Sequence, residues 1–573
     1  MTYHDSSGQG QVLLSQLLDI EKRYYKLLRK RSIELQKKGQ YFESFFYAKK
    51  CLSQFKIFGS FRQYCFDSFR RKSVRSRLPD IEKRYYKLLK KRSIQLQKKG
   101  QYFESLFYAK KYLASFNDFG KAWLTVLENQ LACGLFEEAE DTFLNAFEYI
   151  DSQLSALLSS SKNDLRIQSR LLSSKKSLEK VRFQCLNARR IDEANSLWSG
   201  RRIQHSFDCD VICIASDEAP YLHEFIHHYL YLGFSNIFIG VNNSTDKTLE
   251  FAKKIASVDP RVHVINTDDV HVELTQRSSY SKLYHCAAAV TRSSYCLFVD
   301  VDEFWVAQPF PTKVRAYLQG FSEFDSLACN WVNCFYEDQF SPPLSRSLSF
   351  NSKLNPGLDY RLKRNVKSFV AYGANIVELQ CHSPVFRNPS ARVSDAFGNS
   401  LSLAITTIGF QAPGGVLSAG TQFNSRARTS IIFHRHNRSV LEYSHRMFKP
   451  HANQKKFWGG VLATIPFKEN RPGCNNITGR EISDSFINQL LPSGPNSDYY
   501  RSLVKFIQVC CSTEEIDDAR RSISDQEIQL KCTAVDRDTL VRSRSIWEKG
   551  FSGTPYLELL RDLVVKTEKN DVC

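Results

Sequence analysis

From residue 207 onward the chain alternates short apolar runs with longer amphipathic ones. "DVICIA" (210–215), "NIFIGV" (236–241), "RVHVIN" (261–266) and "YCLFV" (295–299) are rich in Val, Ile and Phe and have strand length. Between the first two, Leu222, Phe225, Ile226, Tyr229 and Leu230 recur at helical spacing. Pro220 suits the first turn of that helix and Gly233 its end. After the second run, "NNSTDKT" offers an N-cap to a helix carrying Leu249, Ala252 and Ile255. Another helix is predicted over about 276–292. Strands alternating with helices predict an α/β fold around a mostly parallel, Rossmann-like sheet.

The first 200 residues follow another period. "DIEKRYYKLLRKRSIELQKKGQYFESFFYAKKCL" (19–52) returns as "DIEKRYYKLLKKRSIQLQKKGQYFESLFYAKKYL" (80–113), with four of 34 positions changed. Each copy reads as two helices broken at Gly39 or Gly100, and the Gly100 turn recurs at Gly134, 34 residues on. That helix-turn-helix period resembles tetratricopeptide repeats, with Ala139 deeper in the second helix. The match is partial, because 61 residues separate the first two copies; "LNARRIDEANSLW" (186–198) is a candidate degenerate unit. Two readings stay open, a partner-binding solenoid and a plain helical extension packed on the next domain.

Charge sharpens this division. Residues 1–100 hold 25 Lys/Arg against 8 Asp/Glu, so nearly all of the net +19 lies there. In "EKRYYKLLKKR" helical spacing sorts Tyr85, Leu88 and Leu89 onto an apolar face and the basic residues onto a solvated one. Nucleic-acid binding is disfavoured, because no recognition motif accompanies the charge. Peripheral contact with an anionic membrane surface is the better use of a basic face.

The chemistry gathers at strand ends. Asp217 and Glu218 follow the first strand, Asn242, Asn243 and Asp246 the second, Asp268 and Asp269 the third. The fourth runs into Asp300, Asp302 and Glu303, followed by Phe304 and Trp305. Open α/β sheets bind ligands beyond the carboxyl ends of their strands. Asp300 and Asp302 are predicted to converge on one Mg²⁺ or Mn²⁺, since carboxylate oxygens suit hard cations. Such a cation neutralises charge on a leaving diphosphate, which fits a nucleotide-sugar donor.

At these residues the chain resembles a known family. "DEAPYLHEFIHHYLYLGFSNIFIGVNNSTDKT", "DPRVHVI" and "YCLFVDVDEFW" are similar to successive blocks of the family 2-like glycosyltransferases with the GT-A fold, in a branch resembling family 92. Trp331, Phe335, Lys367-Ser368, His382 and "HRHNRSVLEYSHRMFK" (434–449) continue the resemblance, which spans roughly residues 207–455. It implies that Asp300 and Asp302 hold the metal, with His382 as third ligand and His434 or His436 as rivals. It implies that Lys367 contacts the diphosphate, and that Asp217, Glu218, Asn243 and Asp246 line the nucleotide pocket. The chain departs from the pattern at Asp217-Glu218, where many relatives have Asn-Glu, and at Asn243-Ser244, where classical members have Asp-Gly-Ser. The reaction implied is transfer of a sugar, from a donor of UDP-linked type, to the hydroxyl of a glycan or lipid-linked acceptor, with inversion. Glu337, Asp338 and Glu303 are candidate general bases, Glu303 also a brace of the metal loop.

The domain layout expected is a flexible N-terminus (1–18), a helical repeat region (19–200), a GT-A domain (205–465) and a helical C-terminal region (470–573). No apolar run reaches the ~18–20 residues that span a bilayer, and the N-terminus lacks signal-peptide character. With 16 cysteines and no C-x-x-C pair, the expectation is a cytoplasmic protein with reduced thiols, resting at most on the inner membrane face. The alternative to an enzyme is an inactive transferase-like scaffold that acts through its helical repeats and a protein partner.

Overall fold

The computed structural model describes residues 102–115, 121–159, 165–199, 206–270, 274–335, 359–406, 409–412, 430–448, 455–458, 461–464, 497–510, 513–521 and 523–570, with a few isolated positions besides. The chain divides into two units, Met1–Leu88 and Leu89–Cys573, and the architecture below belongs to the second. The first repeat copy and the start of the second lie outside the described residues.

Among the described elements, the helices that precede the sheet are α1 (Tyr102–Ser115), α2 (Lys121–Ala132), α3 (Phe136–Ser159) and α4 (Leu165–Ser199). The break between α2 and α3 falls at Gly134, whose φ of 71° is left-handed, the conformation glycine adopts most readily. Leu127, Ala139, Phe143, Ala146 and Ile150 meet Leu171, Leu178 and Val181 of α4 in one apolar cluster. The far end of α4 joins a different core. Ile191 and Ala194 pack with Tyr280, Leu283, Tyr284 and Phe298 beside the sheet.

The α/β part runs β1 (Cys209–Ala215), α5 (Leu222–Tyr231), β2 (Ile237–Val241), α6 (Thr248–Val258), β3 (Val262–Asn266), α7 (Thr275–Val290) and β4 (Tyr295–Asp300). All four strands sit within a residue of their sequence-predicted bounds; β1, β2 and β4 are continuous apolar runs buried on both faces, and β3 is the partly exposed edge strand. The chain continues through β5 (Glu303–Ala307), α8 (Val314–Leu318), β6 (Ser326–Phe335), β7 (Asp359–Ala371), β8 (Ile376–Leu379), β9 (Pro384–Phe386), β10 (Val393–Asp395), β11 (Ala404–Ile405), β12 (Phe410–Gln411), β13 (Ser430–Arg438) and α9 (Val440–Met447).

One mixed sheet has the order β3-β2-β1-β4-β7-β6-β13-β5, with β10 beside β6. β3, β2, β1 and β4 are parallel, so their carboxyl ends share one edge. Antiparallel β7 then closes on β4, pairing Leu297 with Phe369. β8, β9, β11 and β12 form a smaller separate sheet. Helices cover both faces of the large sheet: Phe225, Ile226 and Tyr229 of α5 on one, Tyr280, Leu283 and Tyr284 of α7 on the other. This is the α/β architecture with helical flanks that the sequence predicted.

The C-terminal region is docked. Tyr499 and Cys510 of α10 (Asp498–Cys510) and Ile516 of α11 (Thr513–Arg521) belong to the same core as α5. Tyr443 and Met447 of α9 pack with Ile528, Trp547, Phe551 and Leu560 in a second cluster. Among the described residues no helix is long and apolar enough to cross a membrane.

Three histidines on α5 face this docked region. His228 donates from Nε2 to the Trp305 carbonyl at 2.8 Å and accepts from the Tyr499 hydroxyl at Nδ1, 3.2 Å away. His227 Nε2 lies 3.0 Å from Ser502 Oγ. Burial pushes the pKa of His223, His227 and His228 down to about 3 each, aided at His223 by Arg520 and at His227 by Lys313. The imidazoles are thus neutral in the fold, whereas the unfolded chain takes up their protons below 6.5. Stability is therefore complete above that value and is lost as pH falls toward 3. The urea midpoint is expected to drop between about pH 7.5 and pH 5, and His228→Gln to flatten that drop. A midpoint that ignores pH over this range would contradict the burial of neutral imidazoles.

Candidate functional site

The site begins where β4 ends. The β1–β4 register sets Asp300 opposite Ile214, at the shared carboxyl edge. The chain turns over Val301 and Asp302 and re-enters the core as β5, where Phe304 and Trp305 are fully buried. Two aromatic anchors fix the turn that carries the carboxylates.

Asp300 is 30% exposed and heavily bonded. Tyr280 donates its hydroxyl to Oδ1 at 2.8 Å, and Gln276 Nε2 reaches Oδ1 at 3.0 Å. Both donors lie on α7, one turn apart. Lys367 Nζ lies 3.1 Å from Asp300 Oδ2 and 3.2 Å from Glu303 Oε2, with its side chain 1% exposed. Glu303 Oε2 also accepts the Asp300 amide at 2.8 Å. Burial lowers the pKa of Lys367, but Asp300 and Glu303 outweigh it and hold the ammonium charged. Burial pushes Glu303 well above the carboxylate range, and Lys367 pulls against it.

This geometry bears on two expected roles. The resemblance implies a diphosphate contact for Lys367, whose ammonium lies buried against the carboxylates of Asp300 and Glu303. Glu303 was a candidate base; it is fully buried and tied to Lys367 and to the Asp300 amide, which makes it the brace of the turn. Glu337 and Asp338 lie outside the described residues.

Asp302 has different neighbours. Arg446 Nη1 is 3.1 Å and Arg438 Nη2 3.7 Å from its Oδ2, and His434 Nε2 is 3.8 Å from its Oδ1. Burial raises its pKa, but the permanently charged Arg446 and Arg438 outweigh this and hold the carboxylate ionised. His434 donates from Nδ1 to Asn333 Oδ1 at 3.2 Å, which leaves the Nε2 lone pair facing Asp302. Burial pushes His434 well below its ordinary value despite the opposing pull of Asp302. A neutral imidazole and a carboxylate too far apart for a hydrogen bond are a donor pair that suits a divalent cation.

His382 stands on the other side of Trp331. The Trp331 ring lies 4.9 Å from His382 and 4.2 Å from His434, centroid to centroid. His382 donates from Nδ1 to the Val366 carbonyl at 3.2 Å, leaving its Nε2 unprotonated. Among the described residues no three His, Cys, Asp or Glu side chains converge closely enough for an all-protein metal cage. A magnesium-like ion needs none, because one or two carboxylates and substrate phosphates complete its coordination. The residues present fit that mode.

The acids at the other strand ends knit loops together. Asp217, at a left-handed φ of 55°, accepts at Oδ1 from the Thr245 amide at 2.6 Å and from the Asp246 amide at 3.2 Å. Asp246 Oδ2 in turn accepts from the Ala219 amide at 3.2 Å. The amide of Asn243 donates to Asp268 Oδ1 at 2.5 Å. Glu218 instead turns toward the β4 turn, where its Oε2 meets Arg438 Nη2 at 2.7 Å. Arg438 therefore joins the first strand end to the fourth.

Gln276 and Tyr280 carry no motif of their own, whereas Arg438 and Arg446 lie within the closing segment 434–449. The segment that contains both arginines is legible as a block, but Arg438 adopts a left-handed φ of 55° at a register shift in β13, which nothing in its residue type signals.

Residues 210–378 match the family profile "Glycosyl transferase family 2". The matched stretch contains β1 through β7 and both carboxylates of the β4 turn, and it supports a glycosyltransferase domain of the family 2 type. No curated protein matches the chain. A solved structure titled "Crystal Structure of a Mycobacterial Protein" is similar at 13% identity and a TM-score of 0.18, over 32% of this chain. The chain spans 59% of that protein's length.

Removing the lysine should be costly in a diagnostic way. Lys367→Met leaves two carboxylates without their cation and is expected to destabilise by about 3–5 kcal/mol. Adding Glu303→Gln should recover part of this, since burial drives an unpaired Glu303 to its neutral form and glutamine is neutral from the start. Thermal unfolding of the single and double variants checks both; a double variant less stable than Lys367→Met alone would argue against the brace.

Proposed function

We propose that the protein is a metal-dependent glycosyltransferase, moving a sugar from a nucleotide-sugar donor to an acceptor hydroxyl. The observation that carries this reading is the carboxylate turn at the shared end of four parallel strands, with the His434 lone pair beside Asp302. Asp300 and Asp302 would hold a Mg²⁺ or Mn²⁺ ion, joined by His434 on the Asp302 side. His382 and its unprotonated Nε2 remain available on the other side of Trp331. When bound, such an ion neutralises the charge that builds on a leaving diphosphate.

The chain's own residues do the rest. Tyr280, Gln276 and Lys367 aim Asp300, so that little reorganisation is left for the moment of reaction. Glu303 and Lys367 hold the turn from below. The acceptor hydroxyl must lose its proton to a base as it attacks the anomeric carbon. In an inverting displacement Glu337 and Asp338 are the candidates for that base, Glu303 being committed to Lys367. Glu218 and Asn243 are the donor-side groups nearest to a nucleotide role, with Asp217 and Asp246 shaping their loops.

Asp302→Asn and Asp300→Asn should each lower Mn²⁺-dependent release of UDP from UDP-sugars by about 100-fold or more, while thermal unfolding keeps one transition. Release that survives Asp302→Asn, or that ignores removal of divalent ions, would overturn the reading.

A further inference from the structure

Asp302 is held by two arginines of unlike freedom. Arg438 is built in. Its side chain is 3% exposed, its guanidinium lies 3.9 Å over the Tyr221 ring, and Nη2 is bonded to Glu218 at 2.7 Å. Tyr221 in turn donates its hydroxyl to Glu442 at 2.6 Å, and Glu442 closes a capping box with Ser439 at the start of α9. Arg438 cannot leave without breaking that chain of contacts.

Arg446 is attached otherwise. It projects from the last turn of α9, its side chain is 23% exposed, and Nη1 meets Asp302 Oδ2 at 3.1 Å and the His436 carbonyl at 3.5 Å. A long, partly solvated side chain that ends on a ligating carboxylate can exchange partners at small cost. Its positive charge also opposes a divalent cation arriving at the same carboxylate. The anion that would arrive with that cation is a diphosphate, whose oxygens match the planar guanidinium fork.

We infer that Arg446 is a transferable counter-ion of the donor site: it neutralises Asp302 in the resting protein and passes to the donor diphosphate when Asp302 takes a cation. The inference rests on the transferase reading and adds to it a substrate-contacting role for Arg446, a residue of the closing segment 434–449 to which the sequence assigns no role. Arg446 disfavours binding of the metal alone and favours binding of metal together with nucleotide, so the site loads both in one event. The two effects have opposite signs, which a purely structural arginine would not produce.

The test uses the full chain with Mn²⁺ and UDP as probes. Free Mn²⁺ is read by electron paramagnetic resonance, and UDP binding at saturating Mn²⁺ by calorimetry. Arg446→Gln should bind Mn²⁺ alone about tenfold more tightly than the wild type, and UDP about tenfold more weakly. Arg446→Lys keeps the charge and loses the fork, so its Mn²⁺ affinity should stay near the wild type while UDP binding weakens. If both affinities move in the same direction in Arg446→Gln, or neither moves, the inference is overturned while the transferase reading stands. A wild-type chain that binds neither Mn²⁺ nor UDP overturns the inference and removes the support for the reading beneath it.

Discussion

The site hangs on one buried ammonium. Lys367 comes from β7, the antiparallel strand that closes on β4, and meets Asp300 and Glu303 from inside the protein. A lysine out of water is tolerated only where carboxylates compensate it. Those carboxylates are in turn held where the lysine can reach them. The pair fixes the turn between β4 and β5, and the turn fixes the direction of Asp300. Phe304 and Trp305 lock the exit of the same turn into the core, so the carboxylate edge is rigid before any ligand enters.

Around that point the polar groups divide by task. Asp217, Asp246 and Asp268 bond to backbone amides and join the loops after the first three strands. Asp300 and Asp302 bond to side chains, chiefly cations, hydroxyls and amides that belong to α7, β7, β13 and α9. Acids of the first kind shape a rim. Acids of the second kind keep donors gathered around them and so form the candidate reactive centre. Glu218 belongs to both groups through Arg438, which makes that arginine the link between rim and centre.

The sequence made the parallel strands legible because buried strands are uninterrupted apolar runs, and it located Asp300 and Asp302 because they end one. It did not reveal which way side chains face once strands of remote origin pair. "DYRLKRNVKSFVA" reads as a basic, solvated strand, yet Lys367 within it points at two carboxylates that lie more than 60 residues earlier. Gln276 and Tyr280 look like ordinary helix residues until α7 is packed beside β4. The left-handed Arg438 is invisible for a related reason: backbone context and not residue type imposes its conformation. His434 stood as a rival to His382 in sequence, and only the bond to Asn333 shows which of its nitrogens keeps a lone pair.

The helix α4 has a consequence for how this architecture can change. It spans 35 residues, roughly 50 Å at 1.5 Å per residue, and serves two cores, one at each end. Leu171 and Leu178 belong to the helical layer, and Ile191 and Ala194 to the sheet, where Asn187 also bonds to Ser278 of α7 at 2.8 Å. A continuous helix has no flexible joint at which two folds could be exchanged by shuffling. The helical layer and the α/β core are therefore coupled through one rigid element, and a tilt of α4 at Leu171 would be felt at Ile191, Ala194 and α7.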